Sequence, residues 1–202
     1  MKIFCVGRNY SAHAKELSHA IPDAPVIFIK PATAMLKGNE FYFPEFTNDL
    51  HYECELLFRI CKNGKHIDEK FAYRYIDAVT AGIDFTARDL QSKQKEKGLP
   101  WEIAKAFDNS AVVGDWNAIS NESDFSNINF SMKKNEVIVQ KANSCEMLFG
   151  IPTIIHYISS FFTLQLGDII FTGTPSGVGP VNKGDVLTGF LEDKKVFETR
   201  VK

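Results

Sequence analysis

The sequence predicts an α+β fold, and three observations carry that expectation. The stretch His51 to Ile60 alternates as a strand does; further β-like segments run from Ala111 to Lys141; helix-like segments are interleaved with them, among them one opening at Pro152. Taken as a strand, His51 to Ile60 sets Glu53, Glu55 and Leu57 on one side. Tyr52, Cys54, Leu56, Phe58 and Ile60 take the other side, which is continuously apolar and should face a core. The two glutamates are then neighbours, with Cα atoms roughly 6.6 Å apart. At ~6 Å and an effective dielectric of about 20 their charges repel by about 3 kcal/mol, which water, a basic side chain or a divalent cation would relieve. On this stretch alone the plainer account is a half-exposed antiparallel strand with two solvated glutamates.

Composition narrows the classes. A chain of 202 residues is expected to form one domain, 1–202. A domain of that size buries roughly 70% of its unfolded surface. Apolar content of 45%, charged content of 24% and aromatic content of 12% describe an ordinary soluble protein. A net charge of −2 gives no basis for nucleic acid or an anionic membrane as partner. No apolar run approaches the ~18 residues that span a bilayer, and the N-terminus lacks a signal-peptide core, so a cytoplasmic protein is expected. Cys5, Cys54, Cys61 and Cys145 form no C-x-x-C pair and read as buried thiols of a reducing compartment. The 17 phenylalanines, spread along the chain, suggest a large aromatic core.

In order, Met1 to Gly7 reads as a short buried strand broken by Gly7. A helix-like segment follows from Ser11, its N-cap, to about Ala20. There His13 and Glu16 lie three residues apart on one face, which is either a surface ion pair or a general base with its orienting carboxylate. Pro22 and Pro25 end that helix, and Val26 to Ile29 is a second strand, followed by Lys30-Pro31. Asn63-Gly64 turns the chain out of the central strand. Asp68 caps a helix expected to run to about Ala81, with Phe71, Tyr75, Ala78 and Val79 on its apolar face and Gly82 as its stop. Asp84, between Ile83 and Phe85, is not easily explained as solvated surface. From Thr86 an outward-facing helix rich in Lys, Gln and Glu is expected to Lys97, stopped at Gly98. Lys105 sits among small and aromatic residues. After the β-like stretch to Lys141, Pro152 begins a helix whose Ile154, Ile155, Ile158, Phe161 and Phe162 read as core. The strand Ile169 to Phe171 ends in Thr172-Gly173-Thr174-Pro175-Ser176-Gly177-Val178-Gly179-Pro180, whose glycines and prolines fix an unusual backbone path. It is neither a Walker loop nor a dinucleotide fingerprint. Two strands, Val186 to Leu191 and Val196 to Val201, close the chain.

Together these pieces resemble the fumarylacetoacetate hydrolase family. The matching motifs are Gly7-Arg8-Asn9-Tyr10 with His13 and Glu16; Tyr52 to Leu56; Asp84 to Gln91; Trp101 to Lys105; and Phe171 to Pro180. They run in the family's order over nearly the whole chain and look like its compact acylpyruvase and oxaloacetate decarboxylase branch. The resemblance implies a mixed β-sandwich roll of the family's C-terminal domain type with flanking helices, usually as a homodimer. It implies a divalent cation, Mg2+ or Mn2+ with Ca2+ as a substitute, held by Glu53, Glu55 and Asp84, which would answer the charge problem of the central strand. It also implies a small 2-oxo acid substrate that chelates the cation and passes through an enolate. Lys105 would hold substrate or developing charge, with Arg8, Arg88, Gln91, Gly173 and Thr174 binding substrate and His13 with Glu16 activating a water for C–C hydrolysis. Ala106, where the family usually has glycine, and Ala111-Val112-Val113 depart from the pattern beside Lys105 and bear on substrate shape.

Three reactions share that enolate: acylpyruvate hydrolysis, oxaloacetate decarboxylation, and keto–enol or double-bond isomerisation. A protein that keeps the metal site and binds 2-oxo acids without turnover is a further reading, against which Lys105, His13 and Glu16 argue. These residues do not choose among the reactions, nor do they set the acyl chain length, the native metal or the pathway.

Overall fold

Strands dominate the architecture, and most of the stretch that the sequence singles out, Cys54–Ile60, lies in the interior of the largest sheet. The structure, a computed structural model, describes residues 1–10, 22–119 and 125–202. In chain order the strands begin with β1 (Ile3–Gly7), β2 (Val26–Lys30), β3 (Glu40–Phe41), β4 (Leu50–Tyr52), β5 (Cys54–Ile60) and β6 (Ile76–Asp84). They continue with β7 (Thr86–Ala87), β8 (Ala111–Val113), β9 (Asn117–Ala118), β10 (Asn129–Lys134) and β11 (Val137–Asn143). The last are β12 (Ile169–Phe171), β13 (Gly179–Pro180), β14 (Val186–Leu191) and β15 (Lys194–Val201). The described α-helices are α1 (Arg88–Glu96), α2 (Glu102–Lys105) and α3 (Ile151–Phe161). No described helix is long and apolar enough to cross a membrane.

The largest sheet runs β2-β1-β12-β5-β6-β8, with β9 also on β6. A second runs β11-β10-β14-β15-β3, and β13-β4-β7 form a small third. The two large sheets are mixed, since β1 pairs β12 in parallel, as β15 does β3, among antiparallel neighbours. Strands β10 and β14 pack across β5 and β6, so Phe58, Val79, Ile83, Phe130, Met132 and Leu187 share one core. This is the α+β fold that the sequence predicts, in the sandwich roll that the family resemblance implies.

Five expectations are corrected. His51 to Ile60 is two strands, β4 and β5, parted at Glu53, and it is not half-exposed: Glu53 and Glu55 are 6% and 2% exposed, and Leu57 is fully buried in a second cluster behind the sheet. Asp68 does cap a helix, its side chain accepting from the Lys70 N–H at 3.1 Å, but only a 3-10 turn follows, Glu69–Tyr75. The rest of that expected helix is strand β6. It lies between β5 and β8 and is buried on both faces, so no period-2 alternation marks it. Gly82 stops no helix: a Cβ there would lie 2.2 Å from the Val112 carbonyl oxygen, so the glycine permits the close approach of β8. In α3 the buried side is Ile151, Ile154, Ile155 and Ile158, while Phe161 is 61% exposed. All four cysteines are free, but only Cys5 and Cys54 are buried, and Cys145 is exposed.

Candidate active site

The chain places three carboxylates at one end of the β5–β6 pair. Glu53 stands at the break between β4 and β5, Glu55 follows on β5, and Asp84 ends β6. The β5–β6 register pairs Cys54 with Ile83, and the Asp84 N–H donates to the Glu53 carbonyl at 2.8 Å, which fixes the two acids side by side. One oxygen from each of Glu53, Glu55 and Asp84 lies within 4.8 Å of the others, and all three residues are buried. Three hard oxygen donors so grouped fit a hard divalent cation. Burial, then Asp84 and Glu53, push the Glu55 carboxyl well above the usual range, opposed by Lys105 and by the Gly173 N–H. That N–H donates to Glu55 Oε2 at 2.7 Å. Gly173 has a left-handed φ of +98°, and a Cβ there would meet Asn9 and the Val6 carbonyl at 2.9 Å, so glycine is required for this approach.

Cations answer the carboxylates. Lys105 closes α2 and donates to Glu53 Oε2, Asp84 Oδ2 and Thr86 Oγ1, each at 2.7 Å, which uses all three of its N–H groups. Burial alone would lower its pKa, but Asp84 and Glu53 outweigh burial and hold the ammonium above the ordinary lysine range. Lys30, fully buried at the end of β2, stands 2.7 Å from Asp84 Oδ1 in an ion-pair contact without hydrogen-bond geometry. It also donates to Ser110 Oγ at 2.9 Å and to the Lys105 carbonyl, so it braces both the acid and the lysine of the site. Arg88 Nη2 donates to Glu53 Oε1 at 2.6 Å, and Nη1 to Gln91 Oε1 at 2.7 Å.

The pocket in front of these groups is lined by Arg8, Arg88, Gln91, Lys95, Trp101 and Thr174 besides the carboxylates and Lys105. Arg8 has a left-handed φ of +59°, and its buried Nε has no hydrogen-bond partner among the described residues. The turn carrying it is held by Asn9, whose Nδ2 donates to the Thr172 carbonyl at 2.8 Å and whose Oδ1 accepts from the Phe149 N–H at 2.8 Å. Two expected substrate contacts are otherwise engaged. The Gly173 N–H goes to Glu55, and the Thr174 hydroxyl donates to the Cys54 carbonyl at 2.8 Å while accepting from Gln140 Nε2 at 2.8 Å. Both brace the carboxylate strand. His13 and Glu16 lie outside the described residues.

Lys30, Thr86, Gln140 and Lys95 are not among the residues that the sequence singles out. A lysine closing the apolar run Val26 to Ile29 is a signal for Lys30, and Gln140 in the middle of a strand is a weak one. Lys95 is one of three residues on one face of α1, with Arg88 and Gln91, at spacings of three and four that carry the face into the pocket.

Buried acids gathered on a strand pair, a lysine among them and a polar pocket in front define an enzyme-like site on an α+β roll. The chain belongs to the fumarylacetoacetate hydrolase family of enzymes: the family described as fumarylacetoacetate (FAA) hydrolase C-terminal matches residues 2–202. A protein of Dictyostelium discoideum named oxaloacetate decarboxylase, mitochondrial, is 42% identical over 188 residues, 92% of this chain and 86% of that protein. One of Caenorhabditis elegans named oxaloacetate tautomerase, mitochondrial, is 40% identical over 194 residues, 96% and 91% of the two chains. The crystal structure of fumarylpyruvate hydrolase from Pseudomonas aeruginosa in complex with Mn2+ and pyruvate superposes with a TM-score of 0.93 at 35% identity, covering all of this chain and 89% of that one.

Proposed function

We propose that the protein is a divalent-cation-dependent enzyme that takes 2-oxo acids through an enolate and cleaves acylpyruvates by C–C hydrolysis. The observation that supports this reading is the convergence of three buried carboxylates and one lysine ammonium on a single pocket. Glu53, Glu55 and Asp84 would hold Mg2+ or Mn2+ through one oxygen each. When bound, the cation supplies positive charge beside the substrate carboxylate and its 2-oxo oxygen, easing the arrival of negative charge there. In hydrolysis water adds to the C4 carbonyl carbon, and the C3–C4 bond breaks with its electrons entering a C2–C3 double bond. The negative charge arrives on the 2-oxo oxygen, and protonation at C3 yields pyruvate and the free acid. Lys105 is the chain's own stabiliser of that charge; of its three hydrogen bonds, the one to the neutral Thr86 hydroxyl is the cheapest to exchange for a substrate oxygen. Arg88 fixes Gln91 at the pocket wall and holds Glu53 in place. His13, oriented by Glu16, is the base proposed for the attacking water.

A second reading, oxaloacetate decarboxylation or keto–enol conversion, passes through the same enolate and needs no attacking water. It is favoured by the names of the two relatives at 40–42% identity. Turnover of acetylpyruvate and of oxaloacetate, each with Mg2+, Mn2+ or a chelator, tests both readings, alongside calorimetric cation binding to the parent and to Glu53→Gln/Asp84→Asn. Metal-dependent turnover of at least one substrate is expected, together with loss of cation binding in the double variant. Unchanged cation affinity in that variant would overturn the metal assignment.

A further inference from the structure

The pocket carries more positive charge than its carboxylates balance. Its lining holds four cations, Arg8, Arg88, Lys95 and Lys105, against three carboxylates, a surplus of one charge that a divalent cation would raise to three. Arg88 and Lys105 are engaged with Glu53 and Asp84. Arg8 and Lys95 have no carboxylate within 4.0 Å among the described residues. Lys95 is half-buried, with its ammonium 5.4 Å from the Trp101 ring centroid, and Trp101 packs edge-on against Phe28 of the same pocket. It stands one helical turn beyond Gln91 on the face of α1 that begins with Arg88 at Glu53. A turn is about 5.4 Å, so Lys95 lies further out along the pocket wall than the groups around the carboxylates.

We propose that Lys95, together with Arg8, receives a second carboxylate at the far end of the substrate and so makes Lys95 a specificity-determining residue for dicarboxylic 2-oxo acids. The inference rests on the 2-oxo acid reading of the site. With the 2-oxo acid end at Glu53, Glu55 and Asp84, the substrate's other end extends toward the two cations that no carboxylate among the described residues answers. A neutral acyl chain there would leave both uncompensated; a carboxylate pairs with them through charge-assisted hydrogen bonds. In accord with cations gathered without an anion, burial first, and then the charges of Arg88 and Arg8, lower the Lys95 pKa to about 8, with Glu53 opposing and Lys105 adding to the fall.

The test compares parent, Lys95→Met and Lys95→Arg on oxaloacetate, a dicarboxylate, and acetylpyruvate, a monocarboxylate, with saturating Mg2+. The readout is the ratio of the two kcat/KM values, and its division between kcat and KM. In Lys95→Met the ratio is expected to fall about tenfold or more, chiefly through KM for oxaloacetate, as the loss of one charge-assisted contact implies. Lys95→Arg keeps the charge and is expected to stay within about threefold of the parent ratio. An unchanged ratio in Lys95→Met overturns the proposal, as does equal loss on both substrates, which would mark Lys95 as packing for Trp101 alone. Failure of the underlying reading looks different: the parent would turn over neither substrate. Oxaloacetate is then a non-reacting ligand, and the same comparison is read from calorimetric Kd values for oxaloacetate against pyruvate in parent and variants.

Discussion

The inner wall of the pocket and its outer wall are built on opposite principles. On the inner wall Glu53, Glu55 and Asp84 are answered by Lys30, Lys105, Arg88 and a backbone N–H, and each acid is held by at least one contact of 2.7 Å or less. These groups stand on interior strands, whose register allows little movement. On the outer wall Arg8 occupies a left-handed backbone conformation, and among the described residues its Nε has no partner and the half-buried Lys95 has no acid. Arrangements of that kind lower stability and persist at sites that serve a ligand. The contrast teaches that the inner wall is organised to keep a fixed constellation of charges, whereas the outer wall is completed by what binds there.

Breaking the inner wall should have the largest effects. Glu53→Gln/Asp84→Asn is expected to abolish turnover and cation binding, and chelation of the parent should remove activity and lower Tm, with Mg2+ or Mn2+ restoring both. A chelator-insensitive Tm would show that no cation stabilises the fold. Lys105→Met is expected to cost at least about 100-fold in kcat/KM, as loss of a group that stabilises developing charge commonly does. A near-normal rate would reduce Lys105 to a structural counter-ion. Lys30 makes no contact with the pocket space, so Lys30→Met should act on stability first. Removing one partner of a buried pair leaves Asp84 Oδ1 uncompensated, and a loss of about 3 kcal/mol in urea unfolding is expected. A loss below about 1 kcal/mol would mean that Lys105 suffices to hold the acid.

The smallest effect belongs to the outer wall, and its sign is opposite. The Lys95 pKa falls from 10.5 to about 8 on folding, so between those values the unfolded chain carries more protons. Stability then rises with pH across that window, and the whole cost of the charged lysine is present below about pH 8. Lys95→Met should therefore raise Tm by a few degrees at pH 7, a gain that shrinks toward zero near pH 10.5. A gain independent of pH would assign the effect to apolar packing.

Part of the inner wall was legible in the sequence because its chemistry conflicts with its surroundings. An aspartate between Ile83 and Phe85 stands out against local pattern, whereas the two glutamates alone read as solvated surface, and only the family resemblance joins the three acids into one site. Lys30 and Gln140 do not stand out, since their roles arise from residues some 75 and 86 positions away, at Lys105 and Cys54. Lys95 was hidden for another reason: α1 reads as solvated throughout, because the face it turns inward is itself polar. Strand β6 reads as helix in the sequence because a strand buried on both faces has no alternation, and Asp68 caps a 3-10 turn in place of the long helix expected there. The binary pattern reports burial on one side, and both the interior strand and the polar pocket wall fall outside what it can report.

The parallel pairing of β1 with β12 has a consequence for how the molecule reaches its native state. Cys5 aligns with Phe171, and the Asn9 side chain bonds the Thr172 carbonyl 163 positions along the chain. The Arg8 turn and the glycine that braces Glu55 therefore take up their places only once two segments 163 positions apart have met. Such long-range closure is slow compared with formation of hairpins such as β10–β11. Refolding should then show strand signal by circular dichroism well before cation binding returns. Simultaneous recovery of the two would mean that the β1–β12 contact forms early and guides the rest.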